Sequence, residues 1–103
     1  MNQIKVLVAA IIEKGGKILL VQEGEEDCYG TWNLPTGHLE LNEDIFAGTL
    51  REIKEETGYE AEIGDLIRIY EYEKKGDNKF RFTFSAKIIS GEEKPGKDIL
   101  KVN

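Results

Sequence analysis

Along the chain the apolar positions change period several times, and each change marks an element. Residues 4 to 12, IKVLVAAII, are β-branched and apolar on both faces, which predicts a strand covered on both sides. GG at 15 and 16 supplies the positive-φ residues of a tight hairpin, and KILLVQ returns as the second strand. GEEDCYGT at 24 to 31 is polar, bounded by glycine and without period, so it reads as a loop. It leads into WNLPTGHLELNE, where Pro35 and Gly37 fix a bend rather than a helix.

A helix fits residues 44 to 57. Phe46, Leu50, Ile53 and Thr57 recur at helical spacing and form one face to be buried, with Asp44 or Asn42 as N-cap and Gly58 as the stop. After Gly58, AEIGDLIRIYEYE, the turn KKGDNK and FRFTFSAKII read as an antiparallel hairpin. Phe80, Phe82, Phe84, Ala86 and Ile88 alternate onto its inner face. GEEKPGKD is another loop, and ILKV begins a last strand. The order β-β-β-α-β-β-β predicts a single α/β domain over residues 1 to 103, with a mixed sheet and one central helix.

Composition narrows the chemistry. A formal net charge of -6 argues against a broad nucleic-acid surface, because such surfaces neutralise phosphate with Lys and Arg. The longest apolar run, VLVAAII, is too short to span a membrane, so a cytoplasmic protein is expected. The lone Cys28 excludes an internal disulfide, and its acidic neighbours disfavour a thiolate nucleophile.

One stretch resists a purely structural reading. REIKEETG at 51 to 58 sets Glu52, Glu55 and Glu56 within one arc of the predicted helix, pointing away from the Phe46, Leu50, Ile53 face. Like charges at such spacings repel by roughly 0.2 to 0.5 kcal/mol per pair. Arg51 reaches Glu55, but Lys54 lies well off the arc. An all-carboxylate set favours a hard, oxygen-seeking cation such as Mg²⁺ or Mn²⁺, normally completed by substrate phosphates. Gly48 lies under the arc: it either keeps space clear between the carboxylates or packs closely against the Pro35 to His38 loop.

Residues 37 to 59, GHLELNEDIFAGTLREIKEETGY, resemble the signature of the Nudix hydrolases. Gly37, Glu43, Arg51, Glu52, Glu55, Glu56 and Gly58 match its fixed positions. At about one chance in fifteen per position, seven matches amount to about one in 10⁸. Departures are mild: Tyr59 stands where an aliphatic is usual, Thr36 where glycine is frequent and Gly48 where alanine is frequent.

The resemblance extends over essentially the whole chain and implies an α/β/α sandwich. Family domains usually add a second, C-terminal helix, so a fragment lacking it is implied, with an exposed apolar sheet face that invites homodimerisation. It also implies Glu52, Glu55, Glu56 and the Gly37 carbonyl as metal ligands, and Arg51 as the holder of a glutamate. Glu43 would bond back to the loop and fix the bend. The general base is Glu55 or Glu56 through water, or an acid of the late loop, Glu92, Glu93 or Asp98. His38 and Arg81 are candidate substrate contacts. Trp32, Tyr29 and Phe82 are either stacking platforms or core.

The activity implied is Mg²⁺-dependent hydrolysis of a small-molecule diphosphate, with no nucleic-acid or membrane partner. The likeness is strongest to small bacterial members acting on nucleoside di- and triphosphates and on a pyrimidine diphosphate thiamin precursor. The alternative is a non-catalytic Nudix-fold module that senses a nucleotide.

Overall fold

The computed structural model describes residues 2–97 and 99–103. Strand β1 (Ile4–Lys14) turns through Gly15 and Gly16, both at positive φ, into the short β2 (Lys17–Ile18). The predicted second strand does not continue as one piece. Leu19 still donates to the Ile12 carbonyl, but Leu20 exchanges two backbone hydrogen bonds with Asn103, and β3 (Val21–Glu23) belongs to another sheet. That sheet has the order β4-β3-β8, with β4 at Trp32–Asn33 and β8 at Ile99–Val102.

Three further strands build the main sheet around β1: β5 (Thr36–His38), β6 (Tyr59–Lys74) and β7 (Asp77–Gly91). Its order is β2-β1-β7-β6, and β5 pairs antiparallel with β1. β1 and β7 are parallel and β6 and β7 antiparallel, so the sheet is mixed as expected. The β6–β7 turn has two residues, Lys75 and Gly76, both at positive φ, the geometry that keeps a right-handed twist continuous through a hairpin. Two segments of the stretch read as a bend, 32–33 and 36–38, are strands instead. Each is two or three residues long, too short for an alternation to be visible.

The single α-helix among the described residues, α1 (Ile45–Thr57), lies on one sheet face. Beneath it Ala10, Ile12, Leu19, Val21, Ile53 and Tyr59 form the core, with Ala61, Ala86 and Ile88 packed against it. The register puts Phe80, Phe82 and Phe84 on this same face, but only Phe84 is fully buried. The exposed apolar side chains include Leu66 and Ile69, paired with Phe84 and Phe82 on the α1 side, and the opposite face differs in charge. There the register gathers Lys5, Lys79, Arg81, Arg68 and Thr83, with Tyr70 and Tyr72 among them.

The loop from 92 to 97 is tied to the end of α1. Lys94 and Gly96 donate their backbone N–H groups to the carbonyls of Thr57 and Glu56, at 2.7 and 3.3 Å, which serves two otherwise open helix-terminal acceptors. A Cβ on Gly96 would sit 2.1 Å from the Glu55 carbonyl oxygen. Gly96→Ala is therefore expected to detach this loop and destabilise the protein by about 1–3 kcal/mol, the scale of lost buried hydrogen bonds. Urea unfolding checks this, and an unchanged midpoint would refute it.

Candidate active site

Asp44 caps α1 by accepting from the N–H groups of Phe46 and Ala47, both at 3.0 Å, and Gly58 at φ 85° ends it. The buried stripe is Gly48, Thr49, Ile53 and Thr57, rotated from the predicted one. Phe46 is 51% exposed, although its ring meets Phe84 at 5.4 Å, and Leu50 is half-buried. Thr49 and Thr57 enter the core because their hydroxyls donate to the carbonyls of Ile45 and Ile53. This rotation moves the glutamates. Glu52 and Glu56 follow Gly48 along the flank of the buried stripe and face β5, instead of pointing away from the packed side.

Gly48 itself packs against a loop, though not at residues 35 to 38. A Cβ there would lie 2.6 Å from Leu39 Cδ1 and 2.9 Å from Glu43 Oε1. The space between the carboxylates is secured by Gly37, where a Cβ would lie 2.0 Å from the Glu52 carboxyl carbon. Only glycine lets Glu52 rest on the strand.

Glu56 is largely buried next to Glu52, and the Thr36 N–H donates to it at 3.2 Å. Burial first, then the charge and hydrogen bond of Glu52, push its pKa up to about 9. Two carboxyls confined together need a proton or a cation between them, and the donors fit a hard divalent ion. Strand pairing adds a backbone oxygen. Pro35 and Leu39 bond to β1, so alternation along the ladder turns Gly37 towards Val8, and Thr36 and His38 the other way. Thr36 N–H meeting Glu56, and the His38 carbonyl meeting Arg51, agree with that alternation. The expected Gly37 carbonyl thus belongs to the ladder, and the Thr36 carbonyl is the one on the carboxylate side.

Arg51 organises the acids. It donates to both oxygens of Glu43, at 2.6 and 2.9 Å, to Glu52 at 2.8 Å and to Glu55 at 3.2 Å. Glu43 in turn accepts from the Glu40 N–H at 3.0 Å, which closes the bend as expected, and Arg51 holds its pKa down to about 2. Because Glu52 and Glu55 both lean on this guanidinium, no three His, Cys, Asp or Glu side chains among the described residues already surround one point.

These carboxyls open into a cleft of about 790 Å³, the size of a small-molecule site. His38, Glu55 and Arg51 line it, as do Leu7, Cys28, Lys74 and Lys97, which the sequence did not single out for it. Burial and the nearby Glu23 and Glu25 push the Cys28 thiol pKa up, in keeping with an inert cysteine. Desolvation, then Lys79 and Lys5, lower the pKa of His38.

Other candidates lie elsewhere. Trp32 is 43% exposed on β4, Tyr29 is exposed and Phe82 half-buried, and none of the three is among the cleft residues. Glu93 is engaged by Lys14 at 3.5 Å and by the Tyr59 hydroxyl at 3.3 Å, beyond the helix end, and Glu92 stands with it. Asp98 lies outside the described residues. Arg81 sits on β7 beside Leu7.

A family model described as NUDIX domain matches residues 1–100. The chain belongs to the Nudix family. Among Nudix relatives it is 35% identical over 97 residues to the 8-oxo-dGDP phosphatase NUDT18 of Mus musculus, covering 94% of this chain and 29% of that protein. It is 35% identical over 96 residues to the ADP-ribose pyrophosphatase of Methanocaldococcus jannaschii, covering 90% of this chain and 56% of that one. A solved Nudix hydrolase from Nitrosomonas europaea superposes with a TM-score of 0.87 at 36% identity, over 96% of this chain and 70% of that one. The chain thus spans under two thirds of both curated relatives.

The Glu52–Glu56 pair makes stability depend on pH. A carboxyl whose folded pKa exceeds its unfolded value of about 4.5 contributes stability that is complete below 4.5 and lost as pH rises towards about 9. In EDTA, the melting temperature is expected to fall between pH 6 and 9, and Mg²⁺ is expected to remove the fall. A flat profile without metal would contradict the shared site.

Proposed function

We propose that the chain is a metal-dependent pyrophosphohydrolase, cleaving a phosphoric anhydride bond in a nucleoside di- or triphosphate or a nucleoside diphosphate linked to another group. The observation carrying this reading is the Glu52–Glu56 pair against the glycine-only slot at Gly37. Glu52, Glu55, Glu56 and the Thr36 carbonyl would hold Mg²⁺ or Mn²⁺. Such an ion supplies charge neutralisation on the phosphate oxygens and a more acidic water.

The chain's own residues do the rest. Arg51 and Glu43 fix Glu52 and the loop before α1, so the acids meet the substrate without reorganising. Glu55 is the base of choice because its side chain is 57% exposed at the rim. Its carboxylate takes the proton as water oxygen bonds to phosphorus, and the anhydride P–O bond breaks with its electrons on the leaving phosphate. His38, which lines the cleft, would meet a phosphate oxygen.

The substrate class is supported by the relatives' names, a phosphatase of 8-oxo-dGDP and a pyrophosphatase of ADP-ribose. A panel of nucleoside di- and triphosphates and nucleoside diphosphate esters, assayed with Mg²⁺ and with EDTA, tests the reading. Mg²⁺-dependent release of phosphate or pyrophosphate, or cleavage to two monophosphates, is expected. Tight binding without turnover of any member would replace the enzyme by a sensing module.

A further inference from the structure

The sheet face opposite α1 collects positive charge that the metal chemistry leaves unused. In a chain of net charge -6, one cross-strand row sets Lys5 beside Lys79 and Tyr72, and the next sets His38, Leu7, Arg81 and Tyr70 side by side. The third row brings Thr83 next to Arg68. Like charges directly opposite each other destabilise a sheet. Lys5 is answered by Asp77 at 3.2 Å, but Lys79, Arg81 and Arg68 make no ion pair among the described residues.

Two polar atoms here are buried without a partner among the described residues, Arg81 Nε and Thr83 Oγ1, and Thr83 is 1% exposed. Native structures leave few such groups unpaired, because each costs about 1–3 kcal/mol. Tyr70 supports the Arg81 guanidinium, 4.6 Å from its ring centre, but does not occupy that N–H. The Lys79 pKa is lowered by burial, then by Lys74 and Lys5, against a smaller opposing effect of Asp77.

The face is continuous with the cleft. Leu7, His38 and Lys74 line both, and Lys79 and Arg81 lie on the strand between Leu7 and the hairpin that bears Lys74. β7 is two strands from β5, so this floor lies roughly 10 Å from the strand against which Glu52 and Glu56 of α1 rest.

We propose that Lys79, Arg81 and Thr83 form a second anion-binding subsite, and that the substrate carries a further phosphoryl group there, in addition to the diphosphate cut at the carboxylates. An ammonium, a guanidinium and a hydroxyl on one sheet face offer the N–H and O–H donors that a phosphate accepts from. The subsite itself stands on the sheet geometry, while its role in selecting substrate rests on the proposed hydrolase activity.

The two parts separate experimentally. Titration of the full chain with inorganic phosphate in EDTA, followed by amide NMR, is expected to give saturable shifts at Lys79, Arg81 and Thr83, weakened at least tenfold by Arg81→Gln. Absence of saturable shifts on this face would overturn the subsite, whatever the chain hydrolyses. With Mg²⁺, hydrolysis of ADP-ribose is then compared with that of its 2′-phosphate. A kcat/KM at least tenfold higher for the 2′-phosphate, with the ratio falling in Lys79→Met and Arg81→Gln, is expected. Equal values in the wild type would overturn the role in substrate choice. Phosphate binding on the face with neither compound cleaved would retain the subsite and count against the hydrolase reading instead.

Discussion

Glu56→Gln is expected to lower Mg²⁺-dependent hydrolysis about 10³-fold, within the range lost when a proton-handling or charge-stabilising carboxylate is removed, while making the metal-free protein more stable at pH 9. The two effects share one cause. Glu56 is buried beside Glu52 and its ionisation is resisted up to about pH 9. Glutamine keeps an acceptor for the Thr36 N–H, carries no charge against Glu52, and cannot serve an anion-seeking cation. A purely structural glutamate would show the reverse, with stability falling and no special loss of turnover. Thermal melts in EDTA at pH 9 beside initial rates in Mg²⁺ distinguish the cases.

The second large effect is expected at Gly37. A Cβ at this position would lie 2.0 Å from the Glu52 carboxyl carbon, so alanine must push that side chain off the strand. Gly37 pairs with Val8 in regular strand geometry and is not at positive φ, so the backbone tolerates alanine. Gly37→Ala should therefore melt within a few degrees of the wild type in EDTA, yet lose Mg²⁺-induced stabilisation. Turnover should drop about 100-fold, the scale of an ångström-level misplacement in a site. Retained Mg²⁺ stabilisation in this variant would show that Glu52 does not need the slot.

Much of this arrangement was legible in the sequence, and the parts that were not have identifiable reasons. The helix ends could be read because capping is local: Asp44 needs only the next two N–H groups and Gly58 only its own backbone. The rotation of α1 could not, since Thr49 and Thr57 bury hydroxyls satisfied by carbonyls four residues earlier, and a pattern of apolar side chains overlooks them. The Arg51 network was visible in part. Its reach to Glu55 follows from helix spacing, whereas its grip on Glu43 depends on how the preceding loop folds back.

β4 and β5 were missed because strands of two and three residues carry no measurable period. These two short strands matter most for the site. The β5 register decides which backbone oxygens face the carboxylates, exchanging Thr36 for Gly37. The basic floor was hidden for another reason: Lys5, His38, Lys79 and Arg81 are dispersed along the chain and meet only through the pairing of β5, β1 and β7. The alternation of β7 marks its phenylalanines as one face, while the residues between them build the other.

The central claim is that Glu52, Glu55 and Glu56 form a divalent-cation site beside a diphosphate cleft. Titration of the full chain with Mn²⁺ at pH 7.5, following the signal of free Mn²⁺ by electron paramagnetic resonance, tests it most directly. Saturable loss of the free-ion signal, displaced by Mg²⁺ and weakened at least tenfold in Glu56→Gln, is the result predicted. A free-ion signal that tracks total Mn²⁺, or a binding curve that Glu56→Gln leaves unchanged, would contradict it.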